Sequence, residues 1–223
     1  MFVVLLGRPG SGKGTQATRL AAELGIPQIA TGDILREAVQ SGSDVGRRAK
    51  ATIDAGGLVS DELMIDIVRE RLARPDAAAG FILDGFPRTR RQADALDAVL
   101  DGRGTLRVLH IAVPEEEIVR RLGARRICGS CGVTAPPDTP PGAACERCGG
   151  ALVTRSDDTA DVIRRRLAVY EQEAAPLVAY YRERPGYVEI DGNQKPSAVA
   201  AGIEAALGSV GTESRGATLG SDS

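Results

Sequence analysis

A glycine-rich segment near the N terminus, GRPGSGKGT at residues 7–15, constrains the fold most strongly. An apolar run at residues 2–6 precedes it, and a segment with helical periodicity, residues 13–24, follows it. Apolar runs of this length are typical of buried strands. Backbone N–H groups of residues 10–15 at the start of a helix can surround an anion, and the Lys13 ammonium adds a mobile positive charge. The order strand, glycine loop, helix therefore predicts an α/β core with a phosphate-binding loop.

One position departs from the common phosphate-loop pattern G-x-x-x-x-G-K-[ST], in which a hydroxyl after the lysine binds magnesium. Here Gly14 follows Lys13, and Thr15 comes one residue later. The chain is therefore not expected to hold magnesium through that hydroxyl. The predicted phosphate contacts of the loop are Gly10, Ser11, Gly12, Lys13, Gly14 and Thr15.

Short apolar runs alternate with helix-period segments along most of the chain. Further strands are predicted at residues 27–30, 81–84, 106–113 and 187–190. Further helices are predicted at residues 33–40, 44–55, 61–73, 89–100, 158–183 and 196–207, with another opened by Pro114. We expect Thr31 to cap the helix at 33–40 and Pro176 to bend the long helix. This alternation predicts a doubly wound parallel sheet that binds ligands at the carboxyl ends of its strands.

An acidic residue, Asp84, ends the predicted strand at residues 81–84. At the carboxyl edge of the sheet, beside a phosphate loop, a carboxylate can hold water ligands of a magnesium ion. An aspartate at a strand end is also common in a simple turn. The combination with the glycine loop favours the magnesium interpretation.

The four cysteines of the chain form two pairs with C-x-x-C spacing: Cys128, Cys131, Cys145 and Cys148. Paired knuckles of this kind are typical of structural zinc sites with four thiolate ligands. The surrounding segment, residues 128–150, is rich in proline and glycine and is expected to form a small inserted lobe that the metal stabilises. Two disulfides are the alternative, which a cytoplasmic location disfavours.

Charge and composition argue against several classes of protein. The formal net charge of -2 disfavours non-specific binding to nucleic acid or to an anionic membrane. The apolar runs are too short to span a membrane, and the N-terminal run lacks the basic flank and cleavage site of a signal peptide. We therefore expect a cytoplasmic protein with neither nucleic acid nor membrane as a partner.

Four motifs, in the same order along the chain, resemble those of adenylate kinases. They are GRPGSGKGT, TGDILR at residues 31–36, LDGFPRT at 83–89 and RSDD at 155–158. The resemblance is to the long-lid bacterial form, some members of which carry zinc in the lid. It implies a monomeric phosphate-loop kinase that uses Mg²⁺. The enzyme would transfer a phosphoryl group reversibly from ATP to AMP, so that both nucleotides become ADP.

The resemblance also implies roles for individual residues. Those in catalysis would be Lys13, Arg88, Arg125, Arg155 and Arg166. ATP contacts beyond the loop would come from Arg121, Arg125, Thr134 and Gln194. AMP contacts would come from Thr31, Arg36, Gly57, Leu58, Val59, Gly85, Phe86, Pro87, Arg88, Gln92, Arg155 and Arg166. Arginine forks suit this chemistry because negative charge must be held between two phosphate chains.

The resemblance divides the chain into a core with two inserted mobile lobes. The core would comprise residues 1–30, 60–126 and 159–208, the nucleoside monophosphate lobe 31–59, and the zinc-binding lid 127–158. Closure of the lobes would exclude water from the transferring phosphoryl group. Residues 209–223, rich in Gly, Ser and Thr, are predicted to be a disordered tail.

Two features depart from the family pattern. The segment VTAPPDTPPGAA between the cysteine pairs contains no aromatic residue, which weakens the expected ATP contacts of the lid hairpin. Gly57 stands where a basic residue is common, so only its backbone is expected to contact AMP.

Several alternatives stay open on the sequence alone. One is another nucleoside monophosphate kinase, using UMP or CMP as acceptor or GTP as donor; by resemblance, Thr31 and Gln92 favour AMP, and the full-length lid argues against the lidless pyrimidine kinases. A zinc-ribbon ATPase that binds nucleic acid belongs to a different class. Among single residues, Arg164–Arg166 also fit a solvated helix face, Gln92 fits a capping box with Thr89, and His110 is most simply a strand residue.

Overall fold

Five parallel strands form the central sheet of the computed structural model, which describes residues 1–55, 57–137, 139–140, 142–155 and 157–208. In the described residues the strands are β1 (Phe2–Leu6), β2 (Gln28–Ala30), β3 (Phe81–Asp84), β4 (Leu106–Ala112), β5 (Ile127–Cys128), β6 (Leu152–Val153) and β7 (Tyr187–Asp191). The central sheet has the order β2-β3-β1-β4-β7, and every pairing in it is parallel. The predicted parallel α/β fold is confirmed.

Helices pack on both faces of this sheet. They are α1 (Lys13–Leu24), α2 (Thr31–Gln40), α3 (Asp44–Asp54), α4 (Asp61–Leu72), α5 (Arg90–Leu100), α6 (Glu115–Ala124), α7 (Ala160–Val169), α8 (Ala175–Arg182) and α9 (Pro196–Gly208). Along β1, Val4 belongs to one hydrophobic cluster and Val3 and Leu5 belong to another. Because successive strand residues point to opposite faces, each face of the sheet has its own core.

The strand register brings two of the sequence motifs together. Leu5 of β1 pairs with Asp84 of β3, and Leu6 pairs with His110 of β4. The glycine loop, which follows Leu6, therefore starts beside Asp84 at the carboxyl edge of the sheet. This is the edge at which open α/β sheets bind ligands.

Two segments lie outside the layers of the central sheet. Helices α2 and α3 pack on each other between β2 and α4, and β5 and β6 form an antiparallel pair between α6 and α7. These positions correspond to the two predicted lobes, although the division into domains stays a prediction. The predicted disordered tail, residues 209–223, lies outside the described residues. Within the described part of the chain, no helix combines the length and apolar character needed to cross a membrane.

The prediction that Thr31 caps a following helix is wrong. Helix α2 begins at Thr31 itself, and its N-cap residue is Ala30, which makes no side-chain cap. The Thr31 hydroxyl instead donates to the Gly85 carbonyl at 3.0 Å. Because Thr31 lies within the first turn of α2, its hydroxyl can bond to the loop after β3. Strand β3 is the neighbour of β2 in the sheet, so this loop lies close to the start of α2.

The predicted long helix at residues 158–183 is not one regular helix. Helix α7 starts at Ala160, and a π-helical turn, Tyr170–Ala174, separates it from α8. Pro176 lies in the first turn of α8. Because proline has no N–H and its ring crowds the carbonyl four residues earlier, the regular α pattern cannot continue through Pro176, and the wider π turn accommodates the change.

We expect Gly46→Ala to destabilise the packing of α2 on α3. A Cβ atom at Gly46 would lie 2.0 Å from the Ala38 carbonyl oxygen, which is part of the backbone and cannot rotate away. Overpacking of this kind costs about 1–3 kcal/mol. Thermal unfolding compares this variant with Gly123→Ala in α6, where an added Cβ would meet no atom within 4 Å. Equal melting temperatures for the two variants would contradict this account of α2–α3 packing.

Candidate active site

The glycine loop is shaped to receive an anion. Gly10 and Gly12 have φ values of 86° and 94°, a left-handed conformation that favours glycine. The side chain of Ser11 is buried, and its Oγ has no hydrogen-bond partner among the described residues. A buried hydroxyl without a partner is costly, so an anion that accepts from Ser11 and from the loop N–H groups would stabilise the loop.

Lys13, the first residue of α1, has its ammonium in the loop. Its Nζ donates to the carbonyls of Gly7 and Arg8, at 2.8 Å each. The pKa of Lys13 is lowered to about 8, chiefly by burial; Asp84 opposes the shift, and the positive charges of Arg88, Arg166 and Arg125 contribute to it. Lys13 therefore lies within range of the charges of all four groups.

Asp84 lies beside the residue that breaks the phosphate-loop pattern. A Cβ atom at Gly14 would lie 3.3 Å from Asp84 Oδ2, a tight contact. Burial raises the pKa of Asp84, while Lys13 and Arg88 act in the opposite direction. A carboxylate next to the lysine of the loop fits the oxygen chemistry that Mg²⁺ prefers. Glycine at position 14 leaves room for that carboxylate, which a serine or threonine would crowd.

The loop after β3 carries much of the predicted acceptor site. The Gly85 carbonyl accepts from Thr31 Oγ1 at 3.0 Å and from Arg88 Nε at 2.8 Å. The next two residues, Phe86 and Pro87, are buried. Thr31 and Arg88, which the sequence assigned to one ligand, therefore share a hydrogen-bond partner.

Other predicted acceptor contacts lie nearby. Arg36 forms an ion pair with Asp33 in the first turn of α2. The Gly57 N–H donates to the Thr52 carbonyl at 2.9 Å. Leu58 and Val59 line a cavity of about 360 Å³, whose further lining residues are Ser60, Asp61, Thr89, Val169, Gln172 and Glu173.

The Gln92 side chain does not complete the capping box that its spacing suggests. Thr89 Oγ1 accepts from the Gln92 N–H at 3.3 Å, as an N-cap should. The Gln92 Oε1 atom, however, accepts from the N–H of Arg88 at 2.8 Å rather than from Thr89. Its Nε2 donates to Asp61 Oδ1 at 2.7 Å. The amide is held between two elements, α4 and the loop before α5.

Three predicted arginines converge on two aspartates of the RSDD motif. Arg125 Nε donates to Asp158 Oδ2 at 2.6 Å, and Arg155 Nε donates to Asp157 Oδ1 at 2.9 Å. Arg166 Nη1 lies 3.2 Å from Asp157 Oδ2 and 3.3 Å from Asp158 Oδ1. Arg166 therefore faces inward, and the solvated-face interpretation is wrong for this residue.

The charge balance of this cluster favours a further anion. Burial lowers the pKa of Arg166 to about 10, and Arg125 and Arg155 add to the shift while the two aspartates oppose it. Burial alone would raise the pKa of Asp157, but Arg155 and Arg166 outweigh it and hold the pKa below its ordinary value. Three guanidinium groups share two carboxylates, so a phosphoryl group would supply the missing negative charge.

The remaining predicted ATP contacts are less tightly connected. Arg121 donates to Glu117 Oε1 at 2.7 Å and to the Gly192 carbonyl at 3.0 Å, which ties it to the loop after β7. Gln194, in the same loop, donates to Asp191 Oδ2 at 3.0 Å. Thr134 is exposed and pairs with Ile127 in the lid, and no described contact joins it to the glycine loop.

The four cysteines lie together in the lid segment. Their Sγ atoms are all within 4.8 Å of one another, with Cys128–Cys148 at 3.4 Å and Cys131–Cys145 at 3.7 Å. A tetrahedral zinc ion with Zn–S bonds of about 2.3 Å places its sulfurs about 3.8 Å apart, so the residues fit the metal. The N–H groups of Cys131 and Ser130 donate to Cys128 Sγ, at 3.4 Å each, and lower the pKa of that thiol, which favours the thiolate that zinc binds. All four thiols are free, which argues against the disulfide alternative.

Two further side-chain contacts lie at this edge of the sheet. His110 lies in β4 with Nδ1 at 3.1 Å from Tyr187 Oη, so its interpretation as a strand residue is confirmed. Arg8 donates to Glu171 Oε1 at 2.6 Å and joins the glycine loop to the π turn. The sequence offered no signal for this pair, because the two residues lie 163 positions apart.

Comparisons with known proteins found a matching family model and several similar sequences. A family model described as adenylate kinase matches residues 5–185. A protein of Archaeoglobus fulgidus named adenylate kinase is 47% identical over 214 residues, which cover 93% of this chain and 98% of that protein. Proteins of the same name from Moorella thermoacetica and Syntrophotalea carbinolica are 48% and 50% identical, each over 93% of this chain and over 98% and 99% of their own lengths.

Proposed function

This chain belongs to the adenylate kinase family and is a phosphotransferase, and from this premise we propose that it transfers the terminal phosphoryl group of MgATP to AMP, reversibly, giving ADP as the sole product. The observation that carries the proposal is a cluster of cations around Lys13. Arg88 bonds to the Gly85 carbonyl beside Asp84, Arg125 and Arg166 share Asp158, and the charges of all three arginines act on Lys13. Positive groups at one edge of the sheet match the charge of two phosphate chains that approach each other.

The proposed mechanism uses positioning and charge rather than a general base. The phosphate of AMP is already ionised near neutral pH, so it can attack without losing a proton. Lys13 and the loop N–H groups hold the ATP phosphates, while Arg36 and Arg88 hold the acceptor phosphate. Arg125, Arg155 and Arg166 stabilise the charge that develops on the transferring group.

Mg²⁺ would be held by the ATP phosphates and, through water, by Asp84. When bound, it neutralises part of the phosphate charge. The Asp84 carboxylate lies within reach of Gly14 and its pKa is influenced by Lys13, which supports this assignment.

We also propose that the core, the lobe at residues 31–59 and the lid at 127–158 are separate units that close over the substrates. The mutual packing of α2 and α3 and the hairpin of β5 and β6 support this division. The monomeric state and the cytoplasmic location stay predictions.

An acceptor panel tests the proposed function. In a coupled assay that records ADP formation, AMP should be used with a kcat/KM far above those of UMP and CMP when ATP is the donor. GTP as the donor should be slower than ATP. Turnover of UMP or CMP equal to that of AMP, or a preference for GTP, would contradict the proposal and favour another nucleoside monophosphate kinase.

The pH dependence of Lys13 gives a second prediction. Its pKa is lowered to about 8 without nucleotide, so the amine loses charge as the pH rises through that value. Bound phosphates favour the ammonium and raise its pKa, so ATP binding at pH 8.5 should be accompanied by proton uptake. Titration calorimetry in two buffers of different ionisation enthalpy measures this uptake. The arginine in Lys13→Arg is always charged, so this variant should take up fewer protons when ATP binds. Equal proton uptake by the two proteins would contradict the assignment of Lys13 to the ATP phosphates.

Zinc in the lid is proposed to be structural, with Cys128, Cys131, Cys145 and Cys148 as its ligands. Cys128→Ser should lose the metal and lower the melting temperature by at least about 5 °C, because metal binding supplies folding energy to a lobe without its own core. Mass spectrometry of the metal content and thermal unfolding measure both effects, with Ser130→Ala as the matched control. Unchanged metal content in Cys128→Ser would contradict the site.

A further inference from the structure

Asp61, at the start of α4, contacts two residues of another helix. Its Oδ1 accepts from Gln92 Nε2 at 2.7 Å, and its Oδ2 accepts from Thr89 Oγ1 at 2.9 Å. We propose that Asp61 is a positioning residue that fixes the orientation of the Gln92 amide and so makes the acceptor site select a 6-aminopurine over a 6-oxopurine. This inference rests on the proposed function and on the expectation, from the family resemblance, that Gln92 contacts AMP.

The partners of Gln92 permit only one orientation of its amide. The N–H of Arg88 can only donate, so the atom that faces it, at 2.8 Å, must be the amide oxygen. An ionised carboxylate can only accept, so the atom that faces Asp61 must be the amide nitrogen. If the amide rotated by half a turn, its nitrogen would face the N–H of Arg88 and its oxygen would face the Asp61 carboxylate. The first contact would place two donors together and the second would place two acceptors together. Gln92 is largely buried, so few water molecules are available to relieve such a conflict before a base binds.

Asp61 is itself held in place. Its second oxygen accepts from Thr89, the residue whose hydroxyl also caps α5. Asp61 lines the same cavity as Leu58 and Val59, which the sequence assigned to AMP. The carboxylate therefore joins the wall of this cavity to the amide that is expected to face the base.

A fixed amide distinguishes the two classes of purine. The oxygen and the nitrogen of Gln92 each keep one further hydrogen-bonding position. The oxygen requires a donor, which the amino group at C6 of adenine supplies. Guanine and hypoxanthine place a carbonyl oxygen at C6, which would repel the amide oxygen. An amide that can rotate would turn its nitrogen towards that carbonyl. Selection of a 6-aminopurine over a 6-oxopurine therefore depends on the fixed orientation of the Gln92 amide.

Replacing the carboxylate by an amide removes one of the two groups that fix the Gln92 amide, without changing the shape of the side chain. In Asp61→Asn, the new side chain can donate or accept, so only the N–H of Arg88 still favours the original orientation and the rotated amide becomes accessible. We expect the ratio of kcat/KM for AMP to that for IMP to fall by at least about 10-fold, which corresponds to one hydrogen bond of ordinary strength. The change should lie mainly in the KM for the acceptor, and the KM for ATP should not change.

The matched control is Glu62→Gln, which removes the same charge at the next residue. Glu62 is exposed and pairs with Arg91 on the surface. The ratio of kcat/KM for AMP to that for IMP in Glu62→Gln should therefore equal that of the wild type. Because the ratio compares two acceptors on one protein sample, a smaller folded fraction does not alter it. Asp61→Ala, which also removes the acceptor for Gln92 Nε2, provides the same measurement if Asp61→Asn does not fold.

Three outcomes are distinguishable. A wild-type protein that phosphorylates AMP well, with a selectivity that falls only in the Asp61 variants, supports the inference. Wild-type activity on AMP with an unchanged ratio in Asp61→Asn overturns the inference and leaves the proposed function intact. A wild-type protein that does not phosphorylate AMP overturns the proposed function itself.

Discussion

Lys13→Met should lower kcat by at least about 100-fold while leaving the fold intact. The loss of one positioned cationic donor from a site that binds developing negative charge typically has an effect of 10²–10³ in rate. In the protein without nucleotide, the Lys13 ammonium bonds only to the carbonyls of Gly7 and Arg8 among the described residues. A methionine of similar length can fill that space, so unfolding is not expected to explain the loss.

Steady-state kinetics with ATP and AMP, together with circular dichroism and thermal unfolding, measure this effect. Lys50→Met is the matched control, since Lys50 is an exposed residue of α3 that pairs with Asp54. Its kcat should remain close to that of the wild type. A Lys13→Met protein with nearly wild-type turnover would contradict the assignment of the phosphate loop.

Arg166→Met should have a still larger effect, a decrease in kcat of about 10³-fold or more. Arginines that contact a transferring phosphoryl group typically contribute 10³–10⁵ to the rate. The fold should tolerate the change, because Asp157 keeps its bond to Arg155 and Asp158 keeps its bond to Arg125. Removing one buried cation from three also lowers the mutual repulsion in the cluster.

Single-turnover kinetics separate this loss from slow product release. Arg164→Met, two residues earlier on α7, is the control: Arg164 is exposed and pairs only with Asp161 among the described residues. The expected result is a slow chemical step in Arg166→Met alone. A decrease in thermal stability with an unchanged single-turnover rate would mean that Arg166 has only a structural role.

The sequence predicted the architecture well because its signals are local. The two inner strands β1 and β3 are short apolar runs, and the glycine loop is typical of the connection between a strand and a helix. The predicted strand ends at Leu6 and Asp84 are those of the structure. Their adjacency follows from the parallel register, which the alternation of strands and helices already implies.

The side-chain partners were harder to predict because they depend on distant contacts. Asp157 and Asp158 belong to the RSDD motif, yet nothing in the sequence indicates that they form ion pairs with Arg155 and Arg125. Asp61 lies 31 residues from Gln92 and was not singled out. Thr31 was misassigned as a cap because a threonine before a helix fits that pattern locally, and its bond to Gly85 depends on the order of the strands.

The most direct measurement of the central claim is the stoichiometry of the reaction, followed by ³¹P nuclear magnetic resonance with ATP, AMP and Mg²⁺. The account predicts that ATP and AMP are consumed in equal amounts, that each pair consumed appears as a pair of ADP molecules, and that no inorganic phosphate forms. Starting from ADP alone, the reverse reaction should produce ATP and AMP. Release of inorganic phosphate from ATP at a rate that does not depend on AMP would identify an ATPase and contradict the account.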